Sequence, residues 1–146
     1  MQKRYLKRGV LVVFTMLFIS LFLVHLTSAF GISTPYLEGE TLKVSAGENY
    51  VYPITIQNSD TQDYYVDITY NSTKNVTTLN NQTYFIPSNT YNSTINFNIV
   101  IPKQAIDGET YILEYIARPK TKDGTATGIE IRRGITILVT SKTENS

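Results

Sequence analysis

The chain has 146 residues, with 13 Lys+Arg against 12 Asp+Glu, one His, two Met and no Cys or Trp. Residues 1–29 read as a targeting segment holding His25, both Met and four of the basic residues, so the remaining 117 carry a net charge of −3 and no His, Met, Cys or Trp. This inventory excludes imidazole acid–base catalysis, Cys or Ser–His nucleophiles, thiolate or imidazole metal centres and disulfides, and it leaves no overall basic footprint for nucleic acid.

The targeting segment has three parts. Met1–Arg8 carries Lys3, Arg4, Lys7 and Arg8 and no acid, Gly9–Leu26 is largely apolar, and Thr27, Ser28 and Ala29 are small. That is the order of a secretory signal, and the basic flank keeps the N-terminus in the cytoplasm. The apolar run exceeds the roughly 7–15 residues usual in a signal peptide and reaches the lower end of the roughly 17–25 needed to span a bilayer. Residues 1–29 are therefore expected as a signal peptide cut after Ala29 or as an N-terminal anchor, a hydrophobic helix crossing the membrane through residues 9–26. Either way the rest of the chain is extracytoplasmic, secreted or anchored to the cytoplasmic membrane. In a third reading, Arg8, Gly9 and Val10 resemble the processing site of archaeal type IV pilin-like precursors, which would leave Val10 as the mature N-terminus. The Glu that bacterial-type pilins carry five residues after the cut is replaced by Phe14.

Beyond Ala29 the apolar residues alternate with period two between turn-forming clusters, the mark of half-buried strands. The pattern predicts a short strand over Leu42–Val44 and a turn at Ala46–Asn49. A strand over Tyr50–Gln57 follows, with Tyr50, Tyr52, Ile54 and Ile56 inward and a local break at Pro53. Next come Tyr64–Tyr70, with Tyr64, Val66, Ile68 and Tyr70 inward, and Thr83–Ile86, stopped by Pro87. Ser93–Ile101 places Ile95, Phe97, Ile99 and Ile101 on one face. Thr110–Arg118 does the same with Tyr111, Leu113, Tyr115 and Ala117. After a loop centred on Asp123 and Gly124, Gly128–Thr140 presents Ile129, Ile131, Ile135, Ile137 and Val139 on one parity. Arg133 falls on that apolar parity, which requires either a bulge at Arg133–Gly134 or a stem lying along the core with its guanidinium reaching out. About seven short strands predict an all-β fold, an antiparallel two-sheet sandwich over residues 30–140, followed by a polar tail at 141–146.

At Pro102, Ala105, Gly108 and Tyr111 the chain resembles the Pro-x-x-Ala-x-x-Gly-x-x-Tyr signature of Ig-like sandwich domains in archaeal and bacterial surface proteins, including the NEW3-type modules. Leu42, Val44, Gly47 and Glu48, followed by Tyr52, Ile54, Ile56, Gln57 and Asn58, are similar to the same families, where a Gly-Glu turn precedes a strand ending at Asn. Phe30–Ser33 and Pro35–Glu38 resemble the mature start of exported archaeal proteins of this kind. The resemblance implies an Ig-like sandwich in which Tyr111 begins the penultimate strand, and a related feature is the tyrosine corner, a phenol bonded to backbone a few residues upstream. Leu113 stands where a disulfide-bonded Ig domain has Cys, and the core Trp is missing.

Four groups of residues are candidates for function. Residues 71–94 are rich in Asn and Thr and hold four acceptor sequons for N-glycosylation, at Asn71, Asn75, Asn81 and Asn92. Arg118, Lys120 and Lys122 face Arg132 and Arg133 across the last predicted hairpin, either as a patch for an anionic partner or as charges guarding an edge. Tyr65, Tyr84, Phe85 and Tyr91 are a candidate sugar-stacking platform, against a core or rim role. Asp60, Asp63 and Asp67, or Asp107 with Glu109, supply oxygens of the kind Ca²⁺ takes but match no loop motif, so surface acids are the simpler account. The chain is thus expected to be no enzyme and to need no metal or cofactor. It is read as an exported, non-catalytic Ig-like domain in cell-envelope contact or adhesion, with other envelope proteins or surface glycans as partners. A carbohydrate-binding module and a pilin-like filament subunit are the alternatives.

Overall fold

The computed structural model describes residues 15–16 and 30–141. The expected hydrophobic helix at 9–26 lies, apart from Thr15 and Met16, outside the described residues, as does the tail beyond Ser141. No helix among the described residues is long and apolar enough to cross a membrane.

The described chain is all-β, in two sheets. Nine strands run in chain order: β1 (Phe30–Ser33), β2 (Thr41–Val44), β3 (Asn49–Asn58), β4 (Tyr64–Ser72), β5 (Thr77–Leu79), β6 (Thr83–Ile86), β7 (Thr90–Val100), β8 (Thr110–Lys120) and β9 (Ile131–Val139). One sheet has the order β1-β3-β7-β5, the other β2-β9-β8-β4-β6. The expected count of seven is corrected by β1 and β5, two edge strands too short to display an alternation. The expected antiparallel pairing is also corrected, because β2 runs parallel to β9, from Thr41 opposite Thr136 to Val44 opposite Val139. That pairing follows from the path of the chain: β1 joins one sheet, and residues 34–40 carry it across to the other.

The inward faces match the alternation. Tyr52, Ile54 and Ile56 of β3 and Ile95, Phe97 and Ile99 of β7 face Val66 and Ile68 of β4, Leu113, Tyr115 and Ala117 of β8, and Ile135, Ile137 and Val139 of β9, all buried. Phe97 joins the two layers. Its ring lies 5.7 Å from that of Tyr70 and 5.1 Å from that of Tyr115, both on the opposite sheet. Leu113, at the position a disulfide would use, is fully buried.

Pro53 causes no break. It stays in register opposite Asn96, and the register shift falls at Ile56–Asn58 instead. β1 pairs β3 only as far as Thr55, so Pro53 stands where β3 has an open side and a missing donor is tolerated. The bulge considered at Arg133–Gly134 is likewise absent, since β8 and β9 keep one register from Thr110–Leu138 to Ala117–Ile131. Arg133 keeps its inward parity at an exposed position and lines a groove with Tyr52 and Glu40, so the alternative with the guanidinium reaching outward holds.

The residues that carried the family resemblance fasten loops. Gly47, in the left-handed region at φ 75°, donates its N–H to the Pro102 carbonyl, and a Cβ there would press on Lys103. Gly108, at φ 83°, donates to Val139. Asn58 is completely buried. Its amide donates to the carbonyls of Gln62 and Pro87 and its oxygen accepts from the Asp60 N–H, which locks the β3–β4 turn to the loop after β6. Tyr111 begins the penultimate strand with Lys74 5.5 Å over its ring, and burial, with the neighbouring Glu109 carboxylate, pushes its phenol up.

Two predictions come from this core. Phe97→Ala removes the ring that touches both layers and should lower unfolding free energy by about 3–5 kcal/mol, read from urea denaturation. Burial pushes the phenols of Tyr52 and Tyr115 up from their ordinary value. A phenol held neutral in the fold contributes stability below its unfolded pKa of about 10 and loses it as pH rises toward its folded value. With no His between residues 30 and 141, melting should be nearly constant from about pH 6 to 9. Above about pH 10 it should fall, with phenolate absorbance from the buried tyrosines appearing only on unfolding.

Candidate functional site

The outer face of the five-stranded sheet carries the most organised surface. On β4, β8 and β9 the residues opposite in parity to the core include Asp67, Thr69 and Asn71, then Ile112, Glu114, Ile116, Arg118 and Lys120, then Arg132 and Gly134. Glu130, just before β9, accepts from Arg118 Nε at 2.7 Å and from Arg132 Nε at 2.6 Å. Arg118 also donates to Thr69, and Lys120 pairs with Asp67. Hydrogen bonds from these cations hold the Glu130 and Asp67 carboxyls below the usual carboxylate range. Beside this array lies a groove of about 530 Å³, lined by Thr69, Asn71, Glu114, Ile116 and Arg132 and deepened where Gly134 has no side chain.

The basic hairpin is thereby divided. Arg118, Lys120 and Arg132 lie on this face, each tied to an acid. Lys122 is exposed in the loop after β8, and Arg133, of the opposite parity on β9, lines both this groove and the one beside Tyr52. The position of Glu130 between two arginines depends on the hairpin register.

The aromatic platform is divided too. Tyr65 and Phe85 are opposite one another on β4 and β6, both exposed, with ring centroids 5.4 Å apart. Tyr84 has the other parity, packs on the core and accepts from the Asn81 N–H. Tyr91 is exposed on β7 of the other sheet.

The candidate calcium ligands have structural partners and different locations. Asp60 accepts from the Tyr64 phenol at 2.6 Å, and this bond holds its carboxyl below the ordinary value. Asp63 accepts from the Ser88 N–H, Asp67 from Thr83, and Asp107 from the Ser141 N–H. Glu109 is paired with Lys74. Among the described residues there is no cluster of three or more His, Cys, Asp or Glu able to hold a metal ion.

All four sequon asparagines are exposed. Asn71 lies on β4 within the groove, and Asn75 in the 3-10 turn Thr73–Asn75 that carries the chain from β4 to β5. Asn81 lies in the return crossover from β5 to β6, and Asn92 near the start of β7. The hydroxyls at the third sequon position differ. Thr73 accepts from the Ile112 N–H, Thr83 donates to Asp67, and the exposed Thr94 makes a long 3.5 Å contact with the Asn92 carbonyl. Thr77 is buried and its hydroxyl has no hydrogen-bond partner, a state that costs about 1–3 kcal/mol. The Tyr115 hydroxyl is the second buried oxygen of this kind among the described residues.

No family model matches the chain, and no curated protein matches it. Solved structures do. The ASH/PapD-like domain 7 of human CEP192 is similar over 77% of this chain and 85% of that one, at 8% identity and a TM-score of 0.55. A chain from the complex of zinc 2-glycoprotein and prolactin inducible protein from human seminal plasma is similar over 79% and 99%, at 9% identity and 0.54. A chain of Escherichia coli α-2-macroglobulin is similar over 79% and 17%, at 7% identity and 0.50. At such identities the likeness is one of fold. The chain is folded as an immunoglobulin-like β-sandwich.

Proposed function

We propose that the protein is an exported, non-catalytic Ig-like domain that makes protein contacts in the cell envelope through the outer face of its five-stranded sheet. The observation that carries this reading is the Arg118–Glu130–Arg132 and Lys120–Asp67 array beside the groove at Ile116. Charges fixed by mutual hydrogen bonds on a rigid sheet offer a pattern for recognition with little side-chain ordering left to lose on binding. The same bonds keep these carboxyls ionised, so none is held ready as a general acid. The basic flank and apolar run of residues 1–29 supply the route out of the cytoplasm, and the resemblance to NEW3-type surface domains agrees with it.

Protein isolated from its native cells tests the reading directly. It should be recovered with the envelope or the medium, with an N-terminus at Phe30 if the segment is cleaved or Met1 if it is retained. Val10 would establish the pilin-like alternative, and a purely cytoplasmic protein would overturn export. A photo-crosslinking residue at Ile116 should give a discrete adduct in those cells, while one at Val51, on the outer face of the other sheet, should not. Absence of an adduct at Ile116 removes this face as the contact surface.

The Tyr65–Phe85 pair favours a second reading, carbohydrate binding by ring stacking on the β4–β6 edge. In that case glycan-array binding should be lost in Tyr65→Ala and in Phe85→Ala and kept in Tyr91→Ala, since Tyr91 lies on the other sheet. Silence of the wild-type chain across arrays decides against it.

A further inference from the structure

We propose that Asn75 is a site of N-linked glycosylation, and that residue 77 is threonine because glycan transfer, rather than the fold, requires its hydroxyl. The inference rests on the exported reading above, since transfer takes place outside the cytoplasm.

Thr77 sits in β5 opposite Ile99, 2% exposed, and its backbone N–H is engaged by the Ser72 hydroxyl at 3.1 Å. Its own hydroxyl faces the interior unpartnered. Valine has nearly the same shape, belongs in a strand and would leave no polar atom unmet, so packing alone would select it. The other sequon hydroxyls differ in just this respect. Those of Thr73 and Thr83 bond neighbouring strands, and that of Thr94 is exposed. Asn75 has a local reason to be asparagine, a left-handed backbone at φ 53° that asparagine tolerates better than most residues. Thr77 has no such reason in the folded protein. In the unfolded chain it has one: the Asn-x-Thr sequon is read there, before β5 closes over the hydroxyl.

The location gives the glycan physical work. Residues 75–102 contain no charged side chain, yet they supply both edge strands of one flank, β5 and β6, and β7, whose residues 90–96 extend past β5. Edges are ordinarily blunted by charge, and here charge is absent. An oligosaccharide on the exposed crossover before β5 supplies bulk and hydration at that flank.

The transfer needs a lipid-phosphate-linked oligosaccharide as co-reactant. The Asn75 Nδ2 attacks its anomeric carbon, forming a C–N bond as the C–O bond to phosphate breaks. The lipid phosphate leaves with the electron pair, and the amide proton passes to a base of the transferase.

Three variants of the full chain, expressed in its native host and also in a bacterial host lacking an oligosaccharyltransferase, test the proposal. Trypsin cuts after Lys74 and Lys103, so fragmentation of the peptide between them reads Asn75 apart from Asn71. Native protein should carry a saccharide mass increment on Asn75. Thr77→Ser should keep it, and Thr77→Val should lose it. Without glycan, Thr77→Val should melt higher than wild type, by roughly 2–6 °C. Asn75→Gln should lose the increment and gain no such rise. A bare Asn75 in the native protein overturns the site, and an unchanged or lowered Tm in Thr77→Val shows that the fold uses the hydroxyl and overturns the argument from it. A bare Asn75 on a chain recovered outside the cytoplasm removes the glycan alone, while a bare Asn75 on a cytoplasmic chain removes export as well.

Discussion

The two sheets meet at Phe97. No disulfide fastens them, and the contact of that ring with Tyr70 and Tyr115 on the opposite layer takes over the joining role. Offset and edge-on aromatic pairs add about 0.5–1.5 kcal/mol beyond the area they bury, and such rings bring 150–250 Å² each. The constraint spreads outward from there. Phe97 requires β7 to present its odd-numbered residues inward, and pairing with β3 in one register then aligns Tyr52, Ile54 and Ile56 with it. Tyr115 imposes the same parity on β8, which places Arg118, Lys120 and Glu114 outside. The surface array on the five-stranded sheet is thus the reverse side of the aromatic core.

The cost of this arrangement is visible at Tyr115, whose hydroxyl is buried without a partner. The ring accounts for it: a tyrosine there supplies the contact area that Phe97 needs, and the hydroxyl comes with it. Thr77 has no comparable compensation, because a valine would supply the same contacts. The two orphan oxygens therefore have different meanings, one an accompaniment to packing and the other a residue choice that packing does not explain.

Much of this fold was legible in the sequence, and the gaps have physical causes. Period-two alternation named the inward faces of β3, β4, β7 and β8 residue by residue, because one-sided burial demands it. It missed β1, where Gly31 breaks the apolar signal, and β5, whose three residues Thr77, Thr78 and Leu79 are too few for a period to show. It could not see that β2 runs parallel to β9, since direction of pairing leaves no trace in the alternation of a four-residue strand. On the surface, residue types were readable and their partners were not. Arg118 and Arg132 were visible as like charges across a hairpin, but their convergence on Glu130 depends on a register and on a turn. The sequons were visible as text, while the burial of one hydroxyl among four was not.

The two functional regions constrain one another through position. Asn71 lines the groove beside Ile116 and Arg132, so an oligosaccharide on it would occupy the surface assigned to a protein partner. Asn75 follows it by four residues but lies past the end of β4, on the crossover, outside the residues that form the groove. A chain carrying a glycan at Asn75 and none at Asn71 can therefore shield its uncharged β5–β6 flank and still offer the sheet face to a partner. Occupancy of both sites would satisfy the sequons and close the groove. The contact reading and the glycan are compatible only if modification discriminates between two asparagines separated by a single turn.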